Sequence, residues 1–100
     1  MTSIIANNTF LGNTARNGGA ILLDRVKLME IHSNNFTRNN ATNIFGMGNG
    51  GAILYRCNPE TINGKYNCTV ALTNNSFTDN EAGEKGGALR YENANFTDYI

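Results

Sequence analysis

Cys57 and Cys68 are the only cysteines of the chain, and they bracket the stretch NPETINGKYN. Two thiols so placed have two chemistries open to them. Metal binding needs further ligands, and His32, the only histidine, belongs to another part of the pattern described below and is expected to face solvent before a corner. A disulfide needs no third partner. Closing so short a loop contributes about 2–3 kcal/mol, so the pair reads as a bond that ties off a surface loop, which requires an oxidising compartment. Six Asn-x-Ser/Thr tripeptides, at Asn7, Asn35, Asn40, Asn67, Asn74 and Asn95, are acceptor motifs for N-linked glycans. Asn67 in the cysteine loop and Asn40 in a variable gap are the expected exposed turns. At Asn7, Asn35, Asn74 and Asn95, within or beside the repeated corner, a ladder role competes with a glycan.

Catalysis by paired carboxylates is the other chemistry to weigh. The acids are Asp24, Glu30, Glu60, Asp79, Glu81, Glu84, Glu92 and Asp98. Glycoside hydrolysis needs two carboxyls roughly 5–10 Å apart. Asp79 and Glu81 could share a face, but the corresponding positions of the neighbouring repeat hold Arg38 and Asn40. We therefore expect no catalytic residue, no metal site and no cofactor. The formal net charge is zero without a run of like charges, which argues against a nucleic-acid partner. No stretch has the apolar length of a membrane span, and the opening MTSIIANNTF lacks the charged and apolar regions of a signal peptide. The expectation is a piece of a longer exported protein.

The elements that must hold these residues are visible as an internal repeat. NNTFLGNTARNGGAILL, SNNFTRNNATNIFGMGNGGAIL and NNSFTDNEAGEKGGALRY follow one grammar with different spacers. Aligned on phenylalanine, the columns are Ile5, Ile31 and Leu72; Phe10, Phe36 and Phe77; Asn13, Asn39 and Asn80; Ala15, Ala41 and Ala82; Gly19, Gly51 and Gly87; Ile21, Ile53 and Leu89. A fourth copy is expected to place Phe96 in the aromatic column, with Tyr99 where the asparagine should stand. The repeats lie near 3–23, 28–55 and 69–91, with a partial copy at 91–100 and a loop insertion at 56–68, all within one domain spanning 1–100.

Phenylalanine spacings of 26, 41 and 19 residues suit a solenoid, which keeps its strands and varies its loops. NIFGM and RCNPETINGKYNC are the visible extras. The alternation in MEIHS and VALTN and the runs after the paired glycines read as short strands, three to a coil. Ile21 with Leu23, Ile53 with Tyr55, and Leu89 with Tyr91 are expected inside, and Leu22, Leu54 and Arg90 outside. Stacked coils lie about 4.8 Å apart, so each column becomes a ladder. Asparagine can bond to its own copies above and below, while glycine admits tight backbone.

The pairing of FLGN, FTRN and FTDN with GGAI, GGAI and GGAL resembles the FxxN and GGAI repeats of the chlamydial polymorphic outer-membrane protein family. That resemblance implies an all-β, right-handed parallel β-helix (solenoid) of the pectin-lyase-like type, here about four coils of a longer solenoid. It also implies an extracellular or cell-surface location. The expected function is a non-enzymatic structural or adhesive segment, with further coils of the same chain or identical subunits stacked head to tail as partners, and glycans or cell-surface ligands as others. The alternative is part of a carbohydrate-active pectin-lyase-like enzyme whose catalytic coil lies outside this segment.

Overall fold

The computed structural model describes residues 2–42, 48–57, 61–62, 65–66, 68–92 and 95–99, with the backbone alone for 61–62, 65–66 and 95–99. All regular elements among them are short strands. The first coil holds β1 (Ser3–Ala6), β2 (Thr9–Leu11), β3 (Thr14–Ala15) and β4 (Ile21–Asp24); the second holds β5 (Leu28–His32), β6 (Asn35–Thr37), β7 (Asn40–Ala41) and β8 (Ile53–Arg56). A hairpin of β9 (Thr61–Ile62) and β10 (Lys65–Tyr66) follows. The third coil runs through β11 (Thr69–Thr73), β12 (Ser76–Thr78), β13 (Glu81–Ala82) and β14 (Leu89–Glu92), and β15 (Asn95–Tyr99) starts the next.

Corresponding strands pair in parallel, giving four stacked sheets: A (β1-β5-β11-β15), B (β12-β6-β2), C (β13-β7-β3) and D (β14-β8-β4). The fold is a parallel β-helix of about four coils. Each coil has four strands rather than three, because two asparagine corners and a glycine corner divide it. The strands of sheets B and C are too short to show an alternating pattern in the sequence.

The corners explain the crowding of asparagine and glycine. Asn7, Ser33 and Asn74, at φ 59°, 59° and 55°, turn sheet A into sheet B; Gly12, Arg38 and Asp79, at 67°, 53° and 54°, turn B into C. Gly18, Gly50 and Gly86, at 62°, 69° and 71°, turn C into D. Left-handed backbone costs an ordinary L-residue roughly 1–2 kcal/mol, and asparagine, aspartate and glycine bear it best.

Inside, identical residue types sit in register. Ile5, Ile31 and Leu72 form one row, and Phe10, Phe36 and Phe77 another. The three rings stack at centroid separations of 4.8 and 4.9 Å with interplanar angles of 4° and 6°. Ala15, Ala41 and Ala82 line sheet C, and Ile21, Ile53 and Leu89 line sheet D. The middle coil is buried, while Ile5, Phe10, Phe77 and Leu89 are only partly so, having a neighbouring coil on one side in their rows.

Three expectations need correction. Phe96 does not join the phenylalanine column: its backbone pairs with Val70, in sheet A. The spacing from Phe77 to Phe96 equals that from Phe10 to Met29, and Met29 also pairs with Val70. Phe96 is moreover preceded in sequence by Ala94 where the other three have asparagine two residues before the ring, so the amide that stands before the aromatic row has no counterpart there. Tyr91, expected inside, is 48% exposed in the third coil. Leu54, expected outside, is 1% exposed, although it does not belong to the core cluster.

In the first two coils the second glycine of the pair, Gly19 and Gly51, is required by close approach rather than by φ. A Cβ on Gly51 would stand 1.9 Å from the Gly87 carbonyl oxygen and 2.5 Å from that of Glu81, whereas on Gly87 its nearest neighbour is the Asn80 oxygen at 3.8 Å. Gly51→Ala is therefore expected to cost about 3 kcal/mol or more through overpacking of backbone on backbone, and Gly87→Ala to stay within about 1 kcal/mol of the parent chain. Urea unfolding of the two variants checks this; equal losses would contradict the packing argument.

Candidate functional site

The wall of the solenoid carries two asparagine ladders. At the B–C corner, Asn13 donates to Asn39 Oδ1 from its backbone N–H and from Nδ2, both at 3.0 Å, and Asn39 donates to Asn80 Oδ1 in the same way at 2.9 Å. Nδ2 of Asn39 and of Asn80 also reaches back to the carbonyls of Phe10 and Phe36 in the preceding coil, at 3.0 and 2.9 Å. The A–B corner repeats this arrangement through Asn8, Asn34 and Asn75, with Nδ2 of Asn34 and Asn75 on the carbonyls of Ile5 and Ile31.

The first of these ladders was expected at Asn13, Asn39 and Asn80. The second was missed at its own residues: the ladder role weighed at Asn7, Asn35 and Asn74 falls on the adjacent Asn8, Asn34 and Asn75. Its signal is an asparagine two residues before each of the first three aligned phenylalanines, hidden because every such asparagine has a second asparagine beside it. Asn34 and Asn39 are 3% and 0% exposed, so a buried amide is tolerated here only because its donors and acceptor are all engaged.

Sheet D leads back to sheet A through corners of different make. In the first coil the link is Arg25, Val26 and Lys27, with Arg25 left-handed at φ 64°. In the second coil Cys57 and Cys68 are disulfide-bonded with Cα atoms 6.2 Å apart, and the β9–β10 hairpin lies between them as a separate antiparallel pair. Thr69 N–H donates to the Lys27 carbonyl and Arg25 N–H to that of Arg56, so the two cysteines stand in line with Lys27 and Arg25. Residues two apart in a chain span at most about 7 Å. The disulfide thus takes the place of the single residue Val26, holding β8 and β11 at the ordinary corner distance while the insertion departs between them.

Beside this corner Tyr55 is fully buried, and its hydroxyl donates to the Val26 carbonyl and, at 3.5 Å, lies near that of Thr69. Burial raises its phenol above the ordinary value of 10.0, since the anion would lose its hydration.

The remaining polar groups do not converge. Asp24, Arg56 and Glu92 form one row at the end of sheet D, with Arg56 Nη2 3.5 Å from Asp24 Oδ2 and Arg90 Nε 2.9 Å from Glu92 Oε1. Asp79 is an exposed corner residue above Arg38, and Glu81 pairs with Asn40. His32 sits half-buried between Ala6 and Thr73 in sheet A. Among the described residues there is no group of three or more metal-binding side chains and no pocket. Of the glycan acceptors, Asn7, Asn35 and Asn74 are exposed, whereas Asn40, expected in an exposed turn, is half-buried in β7 because that strand pairs with both β3 and β13. Asn67 and the side chain of Asn95 lie outside the described residues, as does the ring of Phe96.

Residues 9–24, which run from β2 through β4, match the Chlamydia polymorphic membrane protein repeat. The chain carries a repeat similar to that family's over this stretch, and it contains Phe10, Asn13 and the first glycine pair. No curated protein and no solved structure matches the chain.

Two measurements follow from the D–A corner. Replacing both cysteines by alanine is expected to lower stability by about 3 kcal/mol, whereas exchanging residues 57–68 for the Arg-Val-Lys corner of the first coil is expected to restore most of it; hydrogen exchange in β11 reports both. For Tyr55, the raised phenol means that its contribution is present below pH 10 and is lost as pH rises above it. Tyr55→Phe is therefore expected to cost about 1 kcal/mol at neutral pH, through the abandoned Val26 carbonyl, and to unfold over a flatter alkaline profile than the parent. A variant as alkali-sensitive as the parent would show that Tyr55 is not the responsible group.

Proposed function

We propose that this chain is a non-enzymatic structural segment of a secreted or cell-surface protein, a stiff stalk whose coils continue by stacking end to end on further coils or on a second subunit. The likeness of residues 9–24 to the repeat of a polymorphic membrane protein supports a surface or outer-membrane setting, and the disulfide accords with an oxidising one. An adhesive role fits a rod that carries insertions at fixed corners.

One observation supports the stacking above all: the ladders have a direction. Each asparagine donates to the Oδ1 of the coil that follows, so among the described residues Asn8 and Asn13 leave Oδ1 unbonded at the first coil. At the third coil, the backbone N–H groups and one Nδ2 hydrogen each of Asn75 and Asn80 have no acceptor among the described residues. Donors at one end face acceptors at the other, with the same five-residue separation between the two ladders in every coil. Head-to-tail contacts stacked along one axis, with no rotation that closes a ring, propagate into filaments.

Sedimentation velocity over a dilution series tests the reading on the 100-residue chain. Concentration-dependent association is the expected result, and a monomer at every concentration would overturn the end-to-end stacking.

A further inference from the structure

Asparagine does two jobs in this solenoid, and hydrogen bonding separates them. The ladder asparagines all donate from Nδ2. Asn7, Asn35 and Asn74 have no hydrogen bond from Nδ2 among the described residues, and all three are exposed. Each also begins an Asn-x-Ser/Thr tripeptide whose middle residue is committed elsewhere: Asn8 and Asn75 to the ladder, Phe36 to the aromatic stack.

Side chains of extended backbone alternate between faces. Within β6 this sets Asn35 and Thr37 on the face opposite the buried Phe36, while Asn7 and Asn74 reach the surface as left-handed corner residues, each followed two places on by an exposed hydroxyl residue, Thr9 or Ser76. Thr9, Asn35 and Ser76 form one row across sheet B. Within the Asn35 tripeptide, Thr37 Oγ1 donates to Asn35 Oδ1 at 2.7 Å, which leaves Nδ2 unengaged. The ladder asparagines show the converse: the residue two places on is Phe10, Ala15, Phe36, Ala41, Phe77 or Ala82, never serine or threonine. Asn40 differs again, being half-buried in β7 between Thr14 and Glu81, while the Thr42 hydroxyl is turned toward the Ala15 carbonyl at 3.4 Å.

We propose that Asn7, Asn35 and Asn74 carry N-linked glycans, so that one wall of the solenoid, the A–B corner and the outer face of sheet B, is sugar-coated while the coil edges stay bare. Asn7 and Asn74 stand at the same corner position two coils apart, about 10 Å at the usual strand spacing, with Asn35 in the coil between. The co-reactant is an oligosaccharide joined through diphosphate to a lipid. Nδ2 attacks its first sugar carbon, the N–C bond forms as the C–O bond to the diphosphate breaks, the lipid diphosphate leaves with that electron pair, and the Nδ2 proton passes to a base of the transferase.

This inference rests on the surface-protein reading, and the test keeps the two apart. Intact cells displaying the natural protein are shaved with protease, and the released peptides are treated with peptide N-glycosidase in heavy-oxygen water, which converts a glycosylated asparagine to labelled aspartate. Labelled aspartate at all three positions is the expected result, and Asn35→Gln should lose one glycan while keeping the Cys57–Cys68 disulfide. Released peptides with unmodified asparagine at any of the three positions would overturn the glycosylated wall and leave the surface reading standing. Failure to release peptides from intact cells that do hold the protein would remove the surface reading, and with it this proposal.

Discussion

An amide that bonds to the coil above and the coil below is what lets so short a strand exist here. Sheet B contributes three residues per coil and sheet C two, far too little backbone pairing to hold a corner by itself. Asn39 accepts two hydrogen bonds from Asn13 and donates to Phe10 and Asn80, so a single side chain ties three coils. The left-handed residue before each ladder asparagine aims the amide along the stack, and the bonds offset the backbone strain. Because one ladder stands before the β2, β6 and β12 strands and the other after them, the phenylalanine between is held in register from both sides. The aromatic stack is a consequence of the ladders as much as of ring packing.

The same arrangement makes stability a property of neighbours. Every interior row contributes one residue per coil, and in sheets B, C and D only the middle coil has a strand on both sides; Ile31, Phe36, Ile53, Tyr55 and Asn39 of that coil are all fully buried. Phe10, Phe77, Ile21 and Leu89 of the first and third coils keep more exposed surface, whereas Leu72 of the third coil, flanked by β5 and β15, is as buried as Ile31. This is the behaviour of a one-dimensional array, in which each repeat is stabilised chiefly by the two that flank it.

The rows were legible in the sequence because like must sit on like at a fixed position, and Ile5, Phe10, Asn13, Ala15, Gly19 and Ile21 each have counterparts that need no structure to find. The disulfide was legible from the absence of any other partner for two thiols. The second ladder was not, since Asn7, Asn35 and Asn74 stand beside Asn8, Asn34 and Asn75, and only the hydrogen bonds say which amide faces the stack. Four strands were read as three because a two-residue strand such as Asn40–Ala41 carries no periodicity. Phe96 was misplaced by residue type, although its spacing already put it in line with Met29. The burial of Leu54 had no signal, as alternation within β8 assigns it to the outer face.

Length variation shows which corners the ladders control. From Asn8 to Asn13, Asn34 to Asn39 and Asn75 to Asn80 the count is the same, since one extra residue would turn an amide out of its stack and leave buried donors and acceptors unpaired. The C–D corner has no such amide pair to keep in line, and it runs over 16–20 in the first coil but 42–52 in the second; the D–A corner runs over 25–27 and then 57–68. In sequence the two insertions thus stand on either side of β8, one before Ile53 and one after Arg56. At the second of them the corner distance must still be met, and there the chain uses a covalent bond where the first coil uses one residue. Asparagine corners hold the coil's shape, and sheet D is where the chain can add sequence without disturbing it.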